Sequence, residues 1–207
     1  MKKSFWESIT PEEHHPRLKG DKEADVVIAG GGITGLTAAY VLVLSGKKVI
    51  VLEAGKTHDT ATAKSSAHLT TESDYYYSKI ISKYGKDTAR KVADSRKFAI
   101  AFVEEMSGKF PFDFQRVPGY LYSEKNRNEI NNELEAASTS GLEVRKIDSL
   151  DLPFSIKAGI EFANQAVFNP GKYLIELAGL MQETGLFEIH ENSRVIEREG
   201  NILKTRE

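Results

Sequence analysis

The sequence predicts an α/β fold in which a parallel sheet with a crossover helix is interrupted by a small α+β insertion. Three observations carry this expectation. The runs Val26-Val27-Ile28-Ala29 and Val49-Ile50-Val51-Leu52 are continuous and apolar, as strands covered on both faces are. Between them Ile33, Leu36, Ala39, Tyr40, Val43 and Leu44 recur at a helical period. From residue 108 the pattern changes to short aromatic and glycine-broken segments, until Asn169-Pro170 opens another helix.

Residues 1–24 are polar, contain Pro11, Pro16 and the pair His14-His15, and read as an amino-terminal segment ahead of the first strand. The helix that follows that strand stops at Gly46, with Lys47 and Lys48 at its carboxyl end. Strand, helix and strand thus fit within residues 25–53. Residues 56–71 are small and polar without a clean period, and are expected to form a loop. Ala89, Val92, Ala93, Ala99, Ile100 and Val103 predict a long helix over 84–106. A helix near 128–140, stopped by Gly141, and short strands around Val144 and Ile160 make the insertion over 108–167. The helix capped by Asn169 is expected to run to about residue 184. Segments at Phe187-Glu188-Ile189, Arg194-Val195-Ile196 and Ile202-Leu203-Lys204 then read as strands, with a tight turn at Gly200-Asn201. The division expected is one domain built from 25–107 and 168–207, with 108–167 inserted into it.

Composition excludes several function classes. With 28 basic against 30 acidic residues, the formal charge of −2 gives no electrostatic reason to expect nucleic acid as a partner. The absence of cysteine excludes disulfides, thiolate zinc sites and cysteine-ligated iron–sulfur clusters within the chain. No membrane span is expected, because the longest apolar run, 38–44, is far too short, and no apolar stretch follows Lys2 and Lys3 as a signal would need. The expected location is cytoplasmic.

The residues that carry chemistry are Gly30-Gly31-Gly32-Ile33-Thr34-Gly35, which satisfy G-x-G-x-x-G through Gly30, Gly32 and Gly35. The motif alone is weak, but here it ends a strand and opens a helix, and Glu53 closes the next strand 23 positions after Gly30. This is a Rossmann-like βαβ unit for the ADP portion of a dinucleotide. Gly30 permits the tight turn, Gly32 lets the backbone approach a pyrophosphate, and Gly35 lets the helix pack on the sheet. Unpaired N–H groups and the positive dipole end at the helix start favour phosphate. A carboxylate at Glu53 accepts from ribose hydroxyls and repels a 2′-phosphate, which disfavours NADP. The fingerprint does not separate FAD from NAD.

The stretch from Ala24 through Gly55, followed by Thr62-Ala63-Lys64 and by residues 165–174 (QAVFNPGKYL), resembles the D-amino-acid-oxidase-like superfamily of FAD-dependent oxidoreductases, which includes glycine and sarcosine oxidases. The resemblance runs from about Phe5 to the end and is nearest to bacterial members whose chains can continue into a Rieske domain. It implies FAD along residues 30–35, with Glu53 and the adjoining Ala54 at the ribose, Thr62, Ala63 and Lys64 near the pyrophosphate or ring, and Val195 near the adenine. It implies that 108–167 is part of a substrate domain, and that the reaction oxidises a C–N bond of an amine or amino acid by hydride transfer to flavin. Two positions depart from the family pattern. His58-Asp59-Thr60-Ala61 stands where a glycine is expected before Thr62, and Asn169 stands where histidine is expected.

No catalytic residue and no metal ligand set is assigned. His68 has no partner identifiable in sequence, Tyr75-Tyr76-Tyr77 reads as packing, and His14-His15 lacks companion ligands and reads as surface. Lys64 reads as a cation aimed at the flavin or as a solvated lysine. The rival functions are an NAD-linked dehydrogenase and a nucleotide-binding fragment without turnover. The second follows from an expected truncation at Glu207, which would leave an unpaired sheet edge and require a missing carboxyl-terminal region or an electron-acceptor partner.

Overall fold

The computed structural model describes residues 4–206. Residues 1–3, which begin the polar amino-terminal segment, and Glu207, where the truncation is expected, lie outside the described residues. The chain divides into two compact units. Unit 1 comprises the described residues up to Ala67, Phe110–Phe112 and those from Asn169 onward; unit 2 comprises His68–Lys109 and Asp113–Phe168.

Unit 1 is built on a parallel sheet in the order β1 (Val26–Ala29), β2 (Val49–Leu52), β7 (Phe187–His190). Val26 lies opposite Val49, and Val49 opposite Phe187. All four residues of β2 are buried, which is why its sequence is apolar throughout instead of alternating. Helix α2 (Ile33–Leu44) makes the crossover and buries Leu36, Ala39, Tyr40 and Val43, whereas Leu44 is exposed. Helix α6 (Pro170–Gln182) is capped by Asn169, whose Oδ1 accepts from the amides of Gly171 and Lys172 at 3.1 Å each. It meets α2 where the Thr37 and Tyr173 hydroxyls lie 3.2 Å apart, and the Tyr173 ring packs edge-on against Phe112. Burial pushes the Tyr173 phenol above its ordinary range, so it stays neutral. The hairpin β8 (Val195–Glu199) and β9 (Ile202–Thr205) turns at Gly200. Among the described residues β1 pairs only with β2, so its other edge is open.

Residues 4–24 form a strap of unit 1. After the short helix α1 (Phe5–Ile9), the His15 and Leu18 amides donate to the Glu191 carboxylate and the Ser193 hydroxyl, and the Pro16 carbonyl lies 3.1 Å from the His190 ring. His15 is therefore buried, not on the surface as its polar neighbourhood suggests.

Unit 2 is an antiparallel sheet about a central strand, β6 (Ala158–Val167). It is paired on one side along its length by β4 (Gln115–Ser123) and on the other by β5 (Val144–Ile147) and the two-residue β3 (His68–Leu69). Helices α3 (Tyr77–Tyr84), α4 (Lys86–Ser107) and α5 (Arg127–Thr139) cover it with a core that includes Tyr77, Ala89, Ala93, Ile130, Ile160 and Phe162. The buried Glu133 of α5 caps α3, accepting the Tyr77 and Ser78 amides at 2.6 and 2.9 Å. The boundary differs from the expected division: residues 68–107 belong to unit 2. Their helices fill its core and share no sheet with β1, β2 and β7. The expected loop over 56–71 holds two 3₁₀ turns, Thr57–Asp59 and Thr62–Lys64, before β3.

Candidate functional site

A cleft of about 400 Å³ opens between the carboxyl end of β1 and the start of α2, lined by Gly30, Gly32, Ile33, Thr34, Gly35 and Thr62 among others. Two glycines make its geometry. Gly30 has φ +110, a conformation that side chains rarely adopt. A Cβ on Gly35 would stand 1.9 Å from the Gly30 carbonyl oxygen, a backbone atom that cannot swing away. The turn therefore folds back on itself, and α2 starts directly against it.

Gly32 is the N-cap of α2 in extended conformation and has no side chain to cap with. Thr62 supplies the missing oxygen: its Oγ1 accepts the Ile33 amide hydrogen at 3.0 Å. Glu53 holds the other side of the turn. One carboxylate oxygen accepts from the Gly31 amide at 2.7 Å and the other from the Gly55 amide at 2.8 Å. Each oxygen keeps a further lone pair for a hydroxyl donor. The first intrahelical bond runs from Leu36 to Gly32, so helical geometry leaves the amides of Gly32, Thr34 and Gly35 without an intrahelical acceptor at the cleft.

Ala54 lies between Glu53 and Gly55 in this turn. The Ser193 amide donates to the Glu53 carbonyl at 2.8 Å, which brings the approach to β8, and so Val195 two residues on, to the same end of the sheet. Ala63 is buried and its carbonyl accepts from the Ser4 hydroxyl at 2.8 Å. The Lys64 ammonium pairs with the Asp59 carboxylate and also donates to the Asp59 carbonyl at 3.1 Å. Sequence reasoning misses three of these relationships: Thr62 as the cap of α2, the double amide contact of Glu53, and the reach of Ser4. The one local signal was Gly32 itself, since an N-cap glycine requires its acceptor from elsewhere. His68 is exposed on β3 in unit 2, and of the three tyrosines Tyr77 is fully buried while Tyr75 is exposed.

Comparison with known proteins places this geometry. Residues 25–206 match the model of the DAO family, FAD dependent oxidoreductase. The chain belongs to that family. Among relatives of the DAO-family chain is a protein named as a Rieske 2Fe-2S iron-sulfur protein, YhfW, of Bacillus subtilis, 30% identical over 98% of this chain and 43% of its own length. The fold of this chain is similar to part of that of L-amino acid deaminase from Proteus myxofaciens (TM-score 0.72, 16% identity, covering 98% of this chain and 45% of that one). It is likewise similar to part of that of glycine oxidase from Bacillus cereus (TM-score 0.62, 18% identity, 87% and 50%). The chain spans about half the length of these relatives or less.

The DAO family is one of FAD dependent oxidoreductases, so FAD is the cofactor that membership implies. The cleft fits such a group. It presents N–H donors at a helix start to a pyrophosphate, and a turn whose glycines leave no Cβ between ligand and backbone. Among the described residues no group of three or more histidines and carboxylates is placed to hold a metal, and no helix is long and apolar enough to cross a membrane.

Proposed function

We propose that residues 30–35 hold the pyrophosphate of FAD, that Glu53 with Ala54 meets the adenosine ribose, and that Val195 lies beside the adenine. Thr62, Ala63 and Lys64 then edge the same ligand, with Lys64 oriented by Asp59. The observation that carries this reading is the paired contact of Glu53, which fixes a carboxylate between the Gly31 and Gly55 amides beside the Gly30–Gly35 turn. A negative charge held there accepts ribose hydroxyls and opposes a 2′-phosphate.

When bound, FAD supplies the two-electron acceptor; the chain supplies hydrogen-bond donors and shape around its ADP half. The substrate class we infer is an amine or amino acid oxidised at a C–N bond. The likeness of fold to proteins named as glycine oxidase and L-amino acid deaminase supports it. The relative named as a Rieske protein supports an iron–sulfur centre as electron acceptor.

The test is reconstitution of the chain with FAD, followed by anaerobic addition of amines and amino acids while the flavin absorption is recorded. Bleaching of the bound flavin by an amine or amino acid supports the full reading. Bound flavin that no such compound bleaches leaves nucleotide binding without turnover, and an absence of flavin binding overturns both.

A further inference from the structure

The amino-terminal strap contacts the turn that carries Thr62, one of the residues lining the cleft. The Thr62–Lys64 turn is a single 3₁₀ turn whose local bonds include Ala63 to Thr60 at 3.1 Å, Ser65 to Thr62 at 3.2 Å and the Lys64–Asp59 pair. A turn of that length has little stability of its own. Yet its first residue must keep its hydroxyl 3.0 Å from the Ile33 amide.

The restraint comes from outside. Ser4 donates to the carbonyl of Ala63, which is 1% exposed, and α1 lies against the turn. Thr10 then donates to Asn169 Oδ1 at 3.2 Å, the oxygen that caps α6. Further on, the His15 amide donates to one oxygen of Glu191, whose other oxygen accepts the Thr57 amide at 2.7 Å. The segment between β2 and Ala67 is thus gripped at both of its 3₁₀ turns, at one end by the strap directly and at the other through Glu191.

We propose that Ser4 is a positioning residue of the flavin site: by holding the Ala63 carbonyl it keeps Thr62 on the start of α2, and flavin residence depends on this strap. The inference rests on the FAD reading given above. A strap serving only to stabilise unit 1 would lower apoprotein melting and leave FAD release unchanged; a strap serving the site speeds FAD release when Ser4 is removed.

The experiment compares the wild-type chain with Ser4→Ala and Ser4→Thr, measuring the FAD dissociation constant and release rate by flavin fluorescence, together with melting of the apoprotein. Loss of one neutral hydrogen bond corresponds to a change of about three- to tenfold. Ser4→Ala is expected to weaken FAD by that factor through faster release, alongside a small fall in apoprotein melting from the same lost bond, and Ser4→Thr to restore both. Equal release from Ser4→Ala and wild type overturns the role of Ser4 while leaving the FAD reading intact. Parallel losses in apoprotein melting and affinity that Ser4→Thr does not restore overturn it as well. A wild-type chain that takes up no FAD overturns both.

Discussion

The Thr62 hydroxyl oxygen accepts the amide hydrogen of Ile33 at 3.0 Å, so that a side chain 29 positions downstream caps the helix that opens the nucleotide cleft. Replacing it tests the cap and the site together. Thr62→Ala is expected to cost about 0.5–2 kcal/mol in urea unfolding, the usual value of an N-cap, and to weaken FAD. Thr62→Ser should retain most of both.

Gly35→Ala puts a methyl group 1.9 Å from the Gly30 carbonyl oxygen. Because the obstacle is backbone, side-chain repacking cannot relieve it, and the cost should reach or exceed the upper end of the usual overpacking range of about 1–3 kcal/mol. Flavin titration should show no binding, and melting should fall. Wild-type affinity in this variant would disprove the close approach of α2 to the turn.

In unit 2 the buried Glu133 accepts two backbone amides at the start of α3. Glu133→Gln keeps one acceptor and turns an amino group toward the other N–H, leaving a buried donor unpaired at a cost of about 1–3 kcal/mol. Denaturant unfolding is expected to show a lower midpoint, with an unchanged FAD release rate if unit 1 folds on its own.

The Arg116 guanidinium binds both oxygens of Glu104, at 3.0 and 2.6 Å, and holds that carboxyl below its usual range. A carboxyl lowered in the folded state contributes stability above its unfolded pKa, and loses it as pH falls through the lower folded value. Both side chains are partly exposed, so screening keeps the pair to about 1 kcal/mol at most. Glu104→Gln should therefore be slightly less stable than wild type at pH 7, and the gap should close in the acid range below the ordinary carboxylate pKa, as read by denaturant midpoints.

The parts of the fold legible in sequence are those whose cause is local. The apolar run of β2, the helical period of α2 and the Asn169-Pro170 start of α6 each carry their signal within a few residues. Helix α3 was not legible, because it is short, begins after Tyr76 at φ +55, and takes its cap from Glu133, 56 positions away. The same holds in the cleft. Glycine spacing and the position of Glu53 mark the turn, but the partners that fix it, Thr62 for Ile33 and Ser4 for Ala63, are set by tertiary folding. His15 looks solvated in sequence only because its partner Glu191 lies 176 positions on.

That last separation bears on biosynthesis. The strap leaves the ribosome before its partner Glu191, which emerges 176 residues after His15, about 10–35 s later at ordinary elongation rates. In that interval β1, α2 and β2 have no third strand, and the sequence of unit 2 is translated in full. Unit 1 is thus assembled from segments that flank unit 2 in the chain, and Glu191 can join the His15 amide to that of Thr57 only after the whole of unit 2 has been translated.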